Sequence, residues 1–348
     1  MAKTRVEQIV DEMRSLIRSR KLRPHERIAS EVRLQEEYSV SGDTIRKALG
    51  RLVAEGVIYR LRGAGTFVSP TAKVGRILVV TNFATITIPD NFGLLYGFSV
   101  FEHGLRNYES RSDLPYTLIP MDSDTYMRSA HEIHLVHKDL AGIIFFRDFN
   151  PVLATKLQLE VLGIPYIFYG DLDRCHGHMV KGNTYCYEAE TAMEVALDYL
   201  VGKGHTRILC TLSSFGVRRY GIYENWMRKN GLWSKDLIPV KIDDSGLETD
   251  PLELLKHGTA VLATRDKEAV IVLNALVNAG IRVPEQVAVM GIDNYAIGLR
   301  TVVPLTSVDI PLGKDAGSCL RLFVDLLEGR RKFINERSKV SVVVRQSA

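Results

Sequence analysis

Apolar residues recur at helical spacing from the start of the chain. Val6, Ile9, Val10, Met13, Leu16 and Ile17 form one stripe between Arg5 and Arg20, with Arg14, Arg18 and Arg20 on the wet side. This predicts a scaffold helix. Ser30 then offers an N-cap, Glu31 suits the positive helix end, and Leu34 with Tyr38 defines a short second helix ending near Ser39. Ser41 caps a third, whose stripe is Ile45, Ala48, Leu49, Leu52 and Val53 and whose stop is Gly56. A link of about three residues between the second and third helices is the spacing of a helix-turn-helix, which lays its second helix in a DNA major groove. Thr44, Arg46 and Lys47 fall on the exposed side of that helix. The runs 57–61 and 66–68 flank Gly63-Ala64-Gly65 and predict a hairpin with a glycine-rich tip, the wing of a winged helix.

Beyond Ser69-Pro70-Thr71-Ala72-Lys73 the period changes. Short apolar runs at 76–81, 116–121, 142–146, 164–169, 207–212, 260–263 and 287–291 read as strands, and 92–107, 151–162, 187–203 and 267–279 read as helices. Repeated strand-helix units imply parallel sheets covered on both faces, with ligands at the carboxyl ends of the strands. Roughly 275 residues of this pattern exceed one compact core, so two sheets are expected.

Charge sharpens the division. Residues 1–70 carry 14 Lys and Arg against 9 Asp and Glu, while the remainder carries 31 against 32. The excess positive charge thus sits on the leading segment, as expected for the part that meets a polyanion. The opening Met-Ala-Lys-Thr-Arg-Val-Glu lacks the apolar core of a secretory signal, and no run approaches the roughly 18 apolar residues of a membrane span, so a cytoplasmic location and no membrane partner are expected. Cys175, Cys186, Cys210 and Cys319 are scattered and read as reduced packing residues.

The string Ser30-Glu31-Val32-Arg33-Leu34, followed by Val40-Ser41, Thr44 through Leu49, Leu52, Glu55-Gly56 and Gly63 through Val68, closely resembles the GntR family over residues 5–68. In that family the recognition helix opens Ser-Arg-x-Thr with a DNA-contacting arginine, and here Gly42 stands in its place. Val32 likewise replaces a residue that is often polar. Arg33, Arg46, Lys47 and Arg62 are the cations left to compensate. The expected DNA-facing set is therefore Arg33, Ser41, Thr44, Arg46, Lys47, Arg62 and the wing's Gly65.

Further along, Gly202 through Ile208, Arg218-Arg219-Tyr220-Gly221, Gly280 through Pro284, Gly291-Ile292-Asp293-Asn294 and Pro304 through Pro311 resemble the effector domain of the LacI family over roughly residues 75–348. A GntR head on such a domain resembles the arabinose-repressor group. The resemblance implies an α/β fold: a winged helix-turn-helix at 1–70, a linker at 71–75, and a two-lobed periplasmic-binding-protein-like domain at 76–348. The first lobe would take about 76–182 plus part of the C-terminal segment, and the second about 183–305 plus the C-terminal strand. Three crossovers would join them, with the ligand between. Arg218, the Arg265-Asp266 pair and Asp293 match the family's cleft positions, and an arginine fork and a carboxylate each suit sugar hydroxyls. Arg265 replaces an asparagine; facing the ligand beside Arg218 and Arg147 it would favour a sugar acid or sugar phosphate, and the competing readings are solvent or a pair with Asp266. Asn82, Phe83 and Asp148 are expected from early strand ends, and Phe92 and Tyr96 either stack on a sugar or pack in the core.

His131, His134 and His137, and separately Asp171, Asp173, His176 and His178, raise a metal reading, but the helical set turns away at each step and a solvated face fits better. No cofactor is expected. No nucleophile elbow, zinc-protease helix or phosphate-binding loop appears. A pyridoxal-phosphate enzyme behind a GntR head and a secreted solute receptor remain the alternatives to a homodimeric, sugar-responsive repressor on double-stranded operator DNA.

Overall fold

The computed structural model describes residues 3–19, 21–69, 72, 74–81, 92–112, 114–133, 139–146, 159–171, 182–213, 216–243 and 246–348, of which 92–96 and 131 by backbone alone. The head opens with α1 (Arg5–Arg18), started by a reciprocal capping box between Thr4 and Glu7. Next come α2 (Glu31–Tyr38) and α3 (Gly42–Ala54), whose caps Ser30 and Ser41 accept hydrogen bonds from the backbone N–H groups of Arg33 and Thr44. Ser39, in the left-handed conformation, ends α2 and turns the chain. Ile9, Val10, Met13, Ile17, Leu34, Ile45, Leu49, Leu52, Ile58 and Val68 share a buried core of their own. Each such aliphatic side chain contributes about 1.5–3 kcal/mol on burial.

The wing is β1 (Ile58–Leu61) against β2 (Gly65–Val68), with Tyr59 and Phe67 opposite one another and stacked at 5.7 Å between ring centroids. A third stretch, absent from the sequence reading, joins it. The Ile28 N–H donates to the Thr66 carbonyl at 2.9 Å, and the Val68 N–H donates to the Glu26 carbonyl at 2.9 Å. Behind the wing, Ala72 and Val74 are buried against the head's core, and the Val74 N–H donates to Pro115 at 2.6 Å. The described part of the expected linker is thus packed on both neighbours.

The large domain begins with β3 (Gly75–Thr81), α4 (Phe92–Arg111), β4 (Tyr116–Asp122) and α5 (Ser123–Ser129), followed by β5 (Leu140–Phe146), β6 (Tyr166–Asp171) and β7 (Asn183–Tyr187). It continues through α6 (Ala189–Gly202), β8 (Ile208–Leu212), α7 (Val217–Lys229), β9 (Val240–Asp243), β10 (Gly246–Leu247), α8 (Pro251–His257) and β11 (Ala260–Leu262). The last elements are α9 (Asp266–Asn278), β12 (Ala288–Asp293), β13 (Thr306–Asp309), α10 (Leu312–Leu327), β14 (Asn335–Arg337) and β15 (Ser341–Val343). Of the helix expected at 151–162, residues 151–158 lie outside the described set.

Two sheets result. The six-stranded one runs β14-β7-β6-β5-β3-β4 and is parallel throughout. The seven-stranded one runs β10-β9-β8-β11-β12-β13-β15, parallel in its centre with antiparallel β10 and β15 at its edges. Because β7 pairs with β6, the first lobe extends through Tyr187, past the boundary near 183 expected from sequence; the chain leaves only after this strand is paired. It returns after Asp309 to build α10 and β14 in the first lobe, then crosses again to β15. α10 packs on α4 where Gly104 faces Gly313 backbone to backbone. Asp315 in the first turn of α10 anchors this junction, accepting from Tyr169 at 3.3 Å, Tyr185 at 3.1 Å and Ser338.

Candidate functional site

Two polar constellations stand out. On the head, the recognition helix α3 presents Arg46 and Lys47 outward, and the wing tip presents Arg62. Arg33, Arg46 and Arg62 make no ion pair among the described residues, whereas Lys47 is held by Asp43 at 2.8 Å. That pair is exposed on both sides and screened by solvent, so a phosphate competes easily for the lysine. The Ser41 and Thr44 hydroxyls bond each other at 3.0 Å across the first turn. Gly65 lies in β2 with φ 121°, and the Arg27 guanidinium covers it, so close that a Cβ there would sit 2.8 Å from Nε. The structure joins Ser41 to Thr44 and sets Gly65 beside Arg27, a further cation of the head that sequence reasoning missed. Its sequence signal was weak, since what places it beside the wing is long-range pairing of residues 25–28 with β2.

The second constellation gathers at the carboxyl ends of the parallel strands, where the lobes meet. Arg218 and Arg219 occupy the first turn of α7, the helix end least favourable for cations, and each is offset by a carboxylate. Arg218 pairs with Asp171 at the end of β6 in the first lobe, Nη1 to Oδ2 3.3 Å. Arg219 donates to the Thr264 carbonyl and lies 3.5 Å from Asp293, at the end of β12. Sequence matching pointed to Arg218 alone, yet the Arg219 side chain is 13% exposed against 42% for Arg218, so the neighbour is the more enclosed of the two.

Asp293 holds φ at 110° and Asn294 at 52°, backbone that side chains rarely adopt and that costs about 1–3 kcal/mol where it occurs. The corner persists because Asn294 is clamped from several sides. Its N–H donates to the Ser307 hydroxyl at 3.1 Å, its amide donates to Asp309 at 2.9 Å, and Arg345 donates to its carbonyl oxygen at 2.6 Å. Such strain concentrates at ligand clamps.

Arg265 does not pair with Asp266. It folds one turn along α9 onto the buried Glu268, with Nη2 to Oε1 at 2.9 Å. Glu268 also accepts from Ser213 at 2.7 Å, Thr264 at 2.7 Å and Thr211 at 2.5 Å. Burial by itself raises this carboxyl, but Arg265 and the three hydroxyls outweigh it and hold the group below its ordinary value. Asp266 departs from the expected ligand-lining role. It is wholly buried, its oxygens accepting from Ser307 at 2.6 Å and from the Tyr295 N–H at 2.6 Å, so it braces the strand ends from beneath. Burial, reinforced by the nearby Asp293 charge, pushes its carboxyl up to about 7. Asn82, Phe83, Arg147 and Asp148 lie outside the described residues, as do His134, His137, Asp173, His176 and His178; Phe92 and Tyr96 are placed by backbone only, in the first turns of α4.

With this geometry in place, likeness to known proteins becomes informative. Residues 5–68 match the bacterial regulatory proteins of the gntR family, and residues 197–348 match the periplasmic binding protein-like domain. The chain carries a gntR-family domain at its head and a periplasmic binding protein-like domain behind it. An arabinose metabolism transcriptional repressor of Geobacillus stearothermophilus is 23% identical to this chain over 345 residues, covering 93% of the chain and 91% of the relative. A transcriptional regulator CelR–cellobiose complex superposes with a TM-score of 0.57 at 20% identity, covering 89% of this chain and 92% of that one. The lac repressor dimer bound to operator does so at 0.60 and 18%, covering 79% and 94%. At these identities the two structures establish that the chain shares their fold. Among its described residues no helix is long and apolar enough to cross a membrane.

Proposed function

We propose that the chain is a carbohydrate-responsive bacterial transcription repressor that binds operator DNA as a homodimer through its winged helices and changes its grip when a sugar occupies the junction between its lobes. The observation that carries this reading is the Arg218–Asp171 pair. It joins the two lobes at the strand ends where ligands of parallel sheets bind, on the same chain as a head with uncommitted cations. Arg33, Arg46, Lys47 and Arg62 would hold phosphates or base edges, Ser41 and Thr44 would lie at the entrance to the groove, and Gly65 would let the wing approach the backbone. Arg218, Arg219 and Asp293 would take sugar hydroxyls, with Asp266 and Glu268 holding them in place.

Three described arginines of the junction stand against carboxylates, Arg218 with Asp171, Arg219 with Asp293 and Arg265 with Glu268, while Arg345 is held by the Asn294 side-chain oxygen and the Leu305 carbonyl. That balance supports a neutral sugar over a sugar acid or phosphate, because an anion would leave the carboxylates facing like charge. Closing of the lobes around the sugar would rotate one against the other and mismatch the heads to the two half-sites. A coupling of about 1–3 kcal/mol, ordinary for such systems, alters DNA affinity about 5- to 150-fold. We read the chain as a cytoplasmic regulator and not an enzyme; the support is that its curated relatives are regulators along nearly their whole length. Gel shifts on the chain's own promoter region, with and without arabinose, glucose and cellobiose, test this. Retarded DNA released by one of them supports the reading, and a chain that shifts no promoter DNA defeats it.

A further inference from the structure

The first residue of the recognition helix has no side chain, and the space it would occupy is taken. A Cβ built on Gly42 would lie 3.1 Å from Gln35 Oε1 and 3.2 Å from both Cδ and Nε2. The backbone there does not call for glycine, since Gly42 is not among the residues with positive φ. A glycine within a helix costs stability relative to alanine, so its use at the head of α3 needs a return. Room for the Gln35 amide is the return that the structure supplies. Gln35 reaches this place from α2, its side chain is partly exposed, and its amide forms no hydrogen bond with the described residues.

We propose that Gln35 is a base-reading residue of the head, its carboxamide standing at the mouth of the recognition helix in place of a side chain at position 42. This rests on the reading of the chain as an operator-binding repressor. The end of α3 that Gln35 covers is the end that a helix-turn-helix points at base edges. A free carboxamide offers one donor and one acceptor side by side, the pattern that matches N7 and N6 of adenine in the major groove. The partner is therefore an adenine at one base pair of each half-site. Arg46 and Arg33, which carry charge without that paired pattern, hold the neighbouring phosphates.

The test is selection from a duplex library with randomised positions, using the full-length chain, Gln35→Ala, Gly42→Ala and the double variant, with thermal melting of each to confirm folding. The wild type should enrich adenine at one position per half-site. Q35A should erase that preference alone, a loss of about 5- to 150-fold in discrimination, the worth of one bidentate base contact. G42A should disturb the same position by displacing the amide, and the double variant should match Q35A, because the methyl group at 42 then has nothing to displace. A Q35A preference identical to the wild type overturns the inference, as does relaxation at a position where adenine was never favoured, or a uniform loss of affinity at every position. A wild-type chain that enriches no sequence defeats the repressor reading itself, an outcome distinct from these.

Discussion

Arg218 on α7 of the second lobe and Asp171 at the end of β6 in the first lobe form an ion pair across the junction, Nη1 to Oδ2 3.3 Å. The arginine side chain is 42% exposed and the carboxylate 7%, so the contact is screened on one side only. Solvent screening on the arginine's side keeps such a half-exposed pair to about 1 kcal/mol, too little to lock the lobes. Its consequence lies in charge: Asp171 cancels the guanidinium that an incoming ligand would meet.

Asp171→Asn should therefore change the melting temperature little and the ligand preference more. With Arg218 left uncompensated, calorimetry should show sugar phosphates gaining affinity relative to the parent neutral sugar. An unchanged ratio would separate Asp171 from the site.

Arg46 is exposed on α3 and unpaired among the described residues. Arg46→Ala should weaken operator binding and lower the slope of log affinity against log salt by about 1, the mark of one lost phosphate contact. Sugar affinity measured on the same preparation should not move.

Asp266 carries a pH signature. Its ordinary carboxyl value of 3.8 is pushed up to about 7 in the folded chain by burial, with the Asp293 charge adding to it. The folded state thus binds a proton that the unfolded state has released. This contribution to stability is complete below about pH 4 and is lost as pH rises toward 7. Asp266→Asn cannot titrate, so the melting temperature of the wild type relative to this variant should fall across that interval. A constant difference would place the Asp266 pKa at its ordinary value.

Gly104 tests the packing of α10 on α4. A Cβ at Gly104 would overlap the Gly313 carbonyl and crowd Ala316 at 2.9 Å, with backbone on both sides and little freedom to yield. Gly104→Ala should cost about 1–3 kcal/mol by chemical denaturation, the usual penalty of overpacking. No measurable change would mean that the helices separate freely at this point.

What the sequence made legible follows from the range of the forces involved. Helices α1 to α3 could be placed because their apolar stripes and the caps Ser30 and Ser41 act over three or four residues, whereas the Thr4 cap of α1 was not singled out. The wing was marked by its glycines. Residues 25–28 were not, because their pairing with β2 depends on a partner forty residues away. Strands β3, β4, β5, β6, β8, β11 and β12 announced themselves as apolar runs, whereas β7, β9 and β13 were not singled out and β10, β14 and β15 are two or three residues long and are strands only by virtue of their neighbours. In the site, the family resemblance pointed to Arg218 and Asp293. It passed over Arg219, adjacent to a residue that already satisfied the pattern, and over Glu268, which reads as a surface partner one turn from Arg265 until Thr211, Ser213 and Thr264 are folded around it. Asp266, expected to line the site, is wholly buried beneath the strand ends and bonded to Ser307 and Tyr295, and nothing local in the sequence distinguishes an exposed carboxylate from one that braces its neighbours.

The account turns on whether occupation of the lobe junction alters the head's hold on DNA. Fluorescence anisotropy of a labelled duplex from the chain's own promoter, titrated with wild type and Asp293→Ala in the presence of arabinose, glucose or cellobiose, measures this directly. The account predicts that one sugar changes wild-type affinity about 5- to 150-fold while Asp293→Ala binds the duplex as tightly as the unliganded wild type and does not respond. Wild type and variant responding alike, or tight DNA binding that none of these sugars alters, would contradict it.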